Sequence, residues 1–176
     1  TVADNYGNVF YSNDGGKTFL RTNTTSFPCW PQLIFSNDRL YYIDRAGLFS
    51  TGVFDGRMWE SFRFIKDVSD VRGAYFEDNM VRYFITGNTI RKCENECMSN
   101  KILFTEASDF VALRQHDQSA VAVTARGTLY YQKSDRWGKY VIDTTITVTG
   151  LAYDGMRAAV ATTTNKIYFT NGQTAF

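Results

Sequence analysis

The segment Gly127-Thr128-Leu129-Tyr130-Tyr131 carries the motif that decides the fold of this chain: small or polar residues, then an aliphatic residue, then aromatic residues. The motif recurs, with a weaker third copy, as Gly7-Asn8-Val9-Phe10-Tyr11, Ala46-Gly47-Leu48-Phe49, Asn88-Thr89-Ile90 and Asn165-Lys166-Ile167-Tyr168-Phe169. Its aliphatic residue stands at positions 9, 48, 90, 129 and 167, so successive copies are 39, 42, 39 and 38 residues apart. This regular spacing indicates one structural unit repeated along the chain.

A second motif keeps the same period and places an aspartate in a short polar segment upstream of the first motif. The four aspartates are Asp38, Asp78, Asp117 and Asp154. Aspartate and asparagine tolerate left-handed backbone and bond nearby backbone groups, which suits tight hairpin turns. We therefore interpret these residues as turn formers rather than as four catalytic acids.

Each unit is predicted to contain four short strands joined by these turns. The second strand is predicted at residues 2–3, 40–43, 81–85, 120–124 and 159–162, and the fourth at 18–22, 59–64, 101–105 and 139–142. The inner strands are small and apolar, whereas the outer strands alternate apolar and polar residues. A four-stranded antiparallel unit of this length is typical of one blade of a β-propeller. A β-sandwich would not require the same hairpin at a fixed interval.

The predicted fold is therefore all-β, a β-propeller with about five blades represented in one domain or fragment. The approximate blade limits are 1–26 (partial), 27–67, 68–108, 109–146 and 147–176 (partial). The phase of the repeat predicts three strands in the first unit, three full blades, and three strands in the last unit. Because these ends do not complement each other, we expect either an incomplete five-bladed ring or a ring completed by further residues or another chain.

Charge and hydropathy exclude several classes of partner. The 176 residues carry 19 basic and 18 acidic side chains, a net charge of +1, and these charges are scattered along the sequence. The sequence contains no cluster of basic residues that would indicate a surface for binding nucleic acid or an anionic membrane. Polar residues interrupt every apolar run, so we expect no membrane insertion by this segment.

The segment Ser12-Asn13-Asp14-Gly15-Gly16-Lys17-Thr18-Phe19 resembles the Asp-box, or BNR repeat, with Phe19 at the usual tryptophan position. In Asp-box propellers the motif forms the turn between the third and fourth strands, where the repeat independently places it. We expect Ser12 and Asp14 to bond turn backbone, Gly16 to adopt a positive φ and Phe19 to return to the apolar layer. The resemblance implies a structural role for this motif, with Thr18 as part of it. Proteins of this superfamily include sialidases, sortilin/Vps10-type receptors, photosystem assembly factors and secreted binding proteins.

No complete catalytic set is visible, so we predict neither catalytic residues, nor a metal site, nor a cofactor. Sialidases use an arginine triad, a Tyr–Glu pair and an acid/base aspartate. The segment Phe62-Arg63-Phe64-Ile65 is only faintly similar to their Phe-Arg-Ile-Pro motif, and Arg63 falls on a predicted outer strand. His116 is the one histidine in the sequence and lies in a predicted turn, where we expect an exposed residue rather than a base or ligand.

The third unit replaces the Asp-box turn with a loop that carries a Cys-x3-Cys pair. Cys93 and Cys97 are close enough in sequence to form a small disulfide ring, which we favour over zinc because zinc would need two further ligands. The flanking charged residues are candidate ligand contacts: Arg91, Lys92, Glu94 and Glu96.

Two further features bear on localisation. Asn23-Thr24-Thr25 is an N-glycosylation sequon, with Asn23 as the candidate acceptor. Cys29 is the odd third cysteine, either a buried free thiol or paired with another chain. The sequon and the cysteine loop favour an extracellular or lumenal location.

The leading functional hypothesis is a non-catalytic, secreted or receptor-like propeller that binds a protein ligand through blade loops or its central face. One alternative is a carbohydrate-binding or sialidase-like propeller, in which Trp30, Trp59 or Trp137 would stack on sugars, although packing between blades is the simpler role for them. The other alternative is an organellar assembly-factor scaffold, which predicts free thiols.

Overall fold

A computed structural model describes residues 2–3, 8–21, 32–36, 39–43, 48–53, 59–65, 68–78, 80–95 and 97–171. All regular secondary structure in these residues is β-strand. The chain divides into two compact units, Thr1–Val71 and Arg72–Phe176, which are described separately below.

The first unit contains two antiparallel sheets, called A and B, whose strands follow one another in sequence order. Sheet A consists of β1 (Val2–Ala3), β2 (Val9–Tyr11) and β3 (Leu20–Arg21). Sheet B consists of β4 (Gln32–Ser36), β5 (Arg39–Ile43), β6 (Leu48–Val53) and β7 (Trp59–Phe64).

The second unit contains three antiparallel sheets, called C, D and E, again with strands in sequence order. Sheet C consists of β8 (Val71–Glu77), β9 (Met80–Thr86), β10 (Thr89–Glu94) and β11 (Ser99–Thr105). Sheet D consists of β12 (Phe110–His116), β13 (Ser119–Thr124), β14 (Thr128–Lys133) and β15 (Arg136–Val141). The described strands of sheet E are β16 (Val148–Tyr153), β17 (Arg157–Thr162) and β18 (Ile167–Asn171).

The prediction of repeated four-stranded antiparallel units is confirmed. Three sheets have four strands, and sheets A and E have three each within the described residues, as the phase of the repeat predicts. The predicted outer strand at 59–64 coincides with β7, whereas β3 begins at Leu20 rather than at the predicted residue 18. The blade limits and the single-domain interpretation stay predictions.

Sheet D is covered on both faces because successive residues of a strand point to opposite sides. Ala120, Ala122 and Tyr130 pack with sheet C, in a buried cluster that includes Tyr83 and Ile85. The residues that alternate with these along β13 and β14 lie on the opposite face of sheet D and pack against sheet E. This second cluster contains Val121, Val123, Leu129 and Tyr131 of sheet D and Val148, Leu151, Ala158 and Val160 of sheet E. Burial of each large aliphatic or aromatic side chain contributes about 1.5–3 kcal/mol, so these two clusters hold the three sheets together.

Polar contacts join the innermost strands of sheets C and D. The Gln115 side-chain amide accepts a hydrogen bond from the backbone N–H of Phe76 (2.8 Å) and donates one to its carbonyl oxygen (2.7 Å). Arg72 donates to the carbonyl of Phe110 (3.1 Å) and forms an ion pair with Asp109 (3.2 Å). Arg72 and Phe76 belong to β8, whereas Phe110 and Gln115 belong to β12. These contacts therefore fix the position of the two inner strands relative to each other.

Three of the predicted turn aspartates, Asp78, Asp117 and Asp154, lie between the first and second strands of sheets C, D and E. Asp78 and Asp117 have positive φ values of 51° and 49°, as expected for left-handed turn residues. Asp154 instead caps its turn through its side chain, and Asp38 lies outside the described residues. Because the sheets are antiparallel meanders, these turns and those between the third and fourth strands lie at one end of each sheet. That end of the second unit contains the candidate site.

Candidate functional site

Three turns of the second unit border an open, solvent-accessible cavity of about 320 Å³, which we call the turn cavity. The β12–β13 turn of sheet D contributes His116 and Asp117, and the β14–β15 turn contributes Lys133 and Ser134. The β16–β17 turn of sheet E contributes Asp154, Gly155 and Met156, and the remaining lining residues are Gln118 and Ser119. The cavity is therefore assembled from segments of two neighbouring sheets.

The His116 ring lies directly against the backbone of Gly155. A Cβ atom at position 155 would come within 2.7 Å of His116 Nδ1, and Gly155 has a φ of +91°. Glycine is the residue that adopts this backbone conformation without steric cost and leaves room for the ring. The same imidazole nitrogen is 3.3 Å from Asp117 Oδ2, so His116 is held between the two turns.

The β16–β17 turn is stiffened by the Asp154 carboxylate. Asp154 Oδ1 accepts hydrogen bonds from the backbone N–H of Arg157 (2.6 Å) and of Met156 (2.9 Å). These two donors, together with the Arg157 guanidinium, hold the pKa of Asp154 below its usual range. Asp154 thus remains an anion at the cavity edge while its turn keeps a fixed shape.

A hydroxyl pair links the two sheets below the cavity. The Tyr153 hydroxyl of sheet E lies 3.0 Å from Ser119 Oγ of sheet D and 2.9 Å from the Gly155 carbonyl oxygen. Ser119 Oγ in turn donates to the carbonyl of His116 (2.8 Å). Burial raises the pKa of Tyr153, which therefore stays a neutral hydrogen-bond donor. These bonds position the walls of the cavity relative to each other.

The cavity combines opposite charges with an apolar side chain. Asp117 and Asp154 provide carboxylates and Lys133 provides an ammonium group, while Met156 is 65% exposed. Within the described part of the chain, no group of three or more His, Cys, Asp or Glu side chains is arranged to hold a metal ion. The arrangement can form ion pairs and apolar contacts with a bound segment.

The predicted disulfide joins strand β10, which contains Cys93, to the turn between β10 and β11, which contains Cys97. Cys93 and Cys97 form a disulfide, with Cα atoms 4.5 Å apart. Of the candidate contact residues, Arg91, Lys92 and Glu94 lie on strand β10 rather than in a loop, and they are partly engaged within the protein. Arg91 donates to Asn100 (2.8 Å), Glu94 pairs with Lys101 (2.8 Å), and the Lys92 ammonium lies 5.7 Å from the Tyr83 ring centre. Glu96 lies outside the described residues.

Trp137 packs between sheets C and D. Its ring meets Tyr83 edge-on, with centroids 5.3 Å apart, and Phe104 at 5.7 Å. These contacts favour the packing role over stacking on a sugar. Asn23, Cys29 and Trp30 lie outside the described residues, and Trp59 and Arg63 lie on β7, the last strand of sheet B.

The 12–19 turn of the first unit, between β2 and β3, is organised around the Asp14 carboxylate. Asp14 Oδ1 accepts from the N–H groups of Lys17 (3.0 Å) and Thr18 (2.9 Å), and Oδ2 accepts from the Thr18 hydroxyl (2.6 Å). Ser12 Oγ donates to Asp14 (2.8 Å) and accepts from the N–H of Gly16 (2.8 Å), whose φ is +88°. One carboxylate and one hydroxyl thus satisfy the backbone donors of Gly16, Lys17 and Thr18.

The expectation for Phe19 was wrong. Its side chain is 46% exposed rather than returned to the apolar layer. The strand that follows begins only at Leu20, which is also exposed. The hydrogen bonds of the turn therefore form without burial of its last residue.

Comparisons with solved structures identify the fold. The chain resembles the structure of YCF48 bound to D1 peptide (TM-score 0.59, 12% identity), which covers 93% of this chain and 57% of that one. It resembles a chain of the nidogen/laminin complex (TM-score 0.60, 10% identity), covering 92% of this chain and 66% of that one. It also resembles the β-propeller domain of Cps50 (Swd1) from Myceliophthora thermophila (TM-score 0.53, 12% identity), covering 82% and 52%.

The protein has a β-propeller fold, as the sequence predicts. The chain spans between 52% and 66% of the length of these three proteins. It matches no protein-family model and no curated protein sequence. No helix long and apolar enough to cross a membrane occurs in the described residues.

The Asp14 turn predicts a measurable pH dependence. Hydrogen bonds from Thr18 and Ser12 lower the pKa of Asp14 from 3.8 to about 2. Because the pKa of Asp14 is lower in the folded state than in the unfolded state, the ionised carboxylate stabilises the fold fully above about pH 4. This stabilisation of the fold is lost as the pH falls towards 2. We expect Asp14→Asn to lower the melting temperature at pH 7 and to have progressively less effect from pH 4 to 2.

The matched control is Lys17→Ala, because Lys17 contributes only its backbone N–H to the turn. We expect this variant to melt like the wild type throughout that pH range. A ¹³C NMR titration of the Asp14 carboxyl that has its midpoint near 3.8 would contradict the hydrogen-bonded turn.

Proposed function

We propose that the protein is a non-catalytic Asp-box propeller that binds an extended segment of another protein at the turn cavity. The observation that supports this most directly is the cavity itself, in which three rigid turns place Met156 beside Asp117, Asp154 and Lys133. Binding residues are commonly carried by loops that a rigid scaffold positions. The Asp14 turn supports the Asp-box assignment by its hydrogen bonds.

The composition of the cavity favours a peptide over a small apolar ligand. Methionine is enriched at protein interfaces and adapts to irregular partners. Asp154 is already paired with Arg157 (3.6 Å), so the exposed Asp117 carboxylate is the one open to a basic side chain of the bound segment, next to an apolar side chain for Met156. A volume of about 320 Å³ accommodates a few side chains rather than a folded domain.

Two of the similar structures are consistent with this mode of use. YCF48 was solved bound to D1 peptide, and the other similar chain was solved as part of a nidogen/laminin complex. Both share the propeller fold with this chain at 10–12% identity, so they support a protein-binding scaffold in general. The preference for a basic and apolar segment comes from this chain's own residues.

The binding proposal is tested by selecting peptides from a random display library on the intact chain. We expect enriched peptides to combine a basic with an apolar residue, and Met156→Asp and Asp117→Asn to weaken binding by at least about tenfold in fluorescence polarisation. Ile102→Asp is the matched control, since Ile102 is 51% exposed on β11 and does not line the cavity. Failure to enrich any peptide, or full affinity in both cavity variants, would contradict the proposal.

The proposal includes an extracellular or lumenal location. The disulfide between Cys93 and Cys97 and the sequon at Asn23 support it, because disulfides persist in oxidising compartments. The assembly-factor alternative instead requires free thiols.

Thiol titration of the denatured protein, purified from its native source, separates the two locations. We expect at most one reactive thiol, that of Cys29, before reduction and three after it. Three reactive thiols without reductant would contradict the location.

A further inference from the structure

His116 is the lining residue of the turn cavity to which the binding proposal gives no role. Its side chain is half exposed and lies beside the exposed carboxylate of Asp117. His116 is also the one histidine in the sequence. Of the residue types that line the cavity, histidine is the one that ordinarily gains a charge between pH 7.5 and 5.5. The cavity thus contains a single side chain of the type that responds to mild acid.

The imidazole ring is held against Asp117 by the turn of the neighbouring sheet. Nδ1 of His116 lies 3.3 Å from Oδ2 of Asp117. The backbone of Gly155 adjoins the ring, since a Cβ atom added there would lie 2.7 Å from the same nitrogen. The Ser119 hydroxyl donates to the His116 carbonyl oxygen (2.8 Å) and fixes the backbone of the β12–β13 turn. The ring is therefore positioned to form an ion pair with Asp117 once it carries a proton.

The charged groups around the imidazole belong to three turns. Asp117 lies on the β12–β13 turn together with the ring itself, and Lys133 borders the cavity from the β14–β15 turn. Asp154 borders it from the β16–β17 turn, where its carboxylate is 3.6 Å from Arg157. An imidazolium here is attracted by two carboxylates and repelled by two cations. Because Arg157 already balances Asp154, Asp117 is the carboxylate with which the imidazolium pairs.

We propose that His116 is a proton-operated switch of the turn cavity: as an imidazolium it pairs with Asp117 and withdraws this carboxylate from the bound segment. The inference rests on the proposed function, in which Asp117 receives a basic side chain of that segment. Beside a neutral imidazole, the negative charge of Asp117 remains available to the segment. Beside an imidazolium, the basic side chain meets a carboxylate that is already paired and a positive charge next to it. Binding of a basic and apolar segment therefore weakens as the pH falls from 7.5 to 5.5.

The equivalent turn of sheet C has the aspartate without the histidine. Asp78 occupies the same position in its repeat as Asp117, and their φ values are 51° and 49°. The residue before Asp78 is Glu77, and its carboxylate lies 3.8 Å from the Arg82 guanidinium. Arginine keeps its charge throughout this pH range, so the turn of sheet C has no comparable switch. Asp78 therefore offers a matched control.

Carbon-13 NMR of the Asp117 carboxyl group in the intact chain tests the ion pair without any ligand. We expect the chemical shift of this carboxyl carbon to change in step with the titration of the His116 ring, because protonation places a charge 3.3 Å away. The coupled change is expected to be absent in His116→Gln, which keeps a hydrogen-bond donor and gains no charge. A carboxyl signal that does not follow the His116 ring would overturn the switch.

Fluorescence polarisation at pH 7.5 and 5.5 tests the consequence for binding. The probe is a peptide enriched in the selection at pH 7.5, with blocked ends and without histidine, aspartate or glutamate, so that its own charge is constant. We expect its affinity for the wild type to fall by about threefold at the lower pH, the effect of one exposed ion pair. His116→Gln is expected to bind equally at both pH values, and Asp78→Asn to show the same decrease as the wild type.

The outcomes separate the switch from the binding site. A peptide that binds the wild type equally at both pH values, or whose affinity falls equally in His116→Gln, overturns the switch and leaves the proposed function standing. Loss of the pH response in Asp78→Asn also overturns it, because the response then does not belong to the turn cavity. If the selection enriches no peptide, the proposed function and the switch fail together.

Discussion

The second unit depends on the burial of sheet D on both of its faces. Every residue from Ala120 to Thr124 is buried, which is possible only because successive side chains of β13 leave the strand in opposite directions. Ala120 and Ala122 serve the interface with sheet C, and Val121 and Val123 serve the interface with sheet E. A shift of one residue in register would exchange the two sets and mismatch both interfaces.

This constraint also explains where the candidate site is found. Strands that are buried on both faces leave only their turns and edges for contact with other molecules. The turn cavity uses three such turns, and the Tyr153, Ser119 and Gly155 contacts tie two of them together. The side-chain amide of Gln115 on β12 is hydrogen-bonded to the backbone of Phe76, which fixes β12 relative to β8 of the neighbouring sheet. These contacts hold the turns in a fixed position relative to the stacked sheets.

The fold could be predicted from sequence because each repeat is a local pattern. An aliphatic residue every 38 to 42 positions and an aspartate upstream specify strands and hairpins without knowledge of any distant contact. The turn cavity could not be predicted in the same way, since His116 and Gly155 are 39 positions apart and meet only when two sheets stack. The one signal in the sequence was that Asp117 and Asp154 occupy the same position in successive repeats, which places their turns at the same end of neighbouring sheets. The prediction that Phe19 is buried was wrong because its position in the motif specifies only a turn. The burial of its side chain depends on how the following strand packs, and Leu20 on that strand is also exposed.

Native-state amide hydrogen exchange along β9, β13 and β17 measures the stacking of the three sheets most directly. If the two apolar clusters unite sheets C, D and E, the core amides of these strands exchange at one common rate that is the slowest in the unit, because they open only on global unfolding. Amides of the outer strand β15 should exchange faster. Exchange of the β13 amides at or above the rate of β15, or separate openings of β9 and β17 well below the global unfolding free energy, would contradict a core shared by the three sheets.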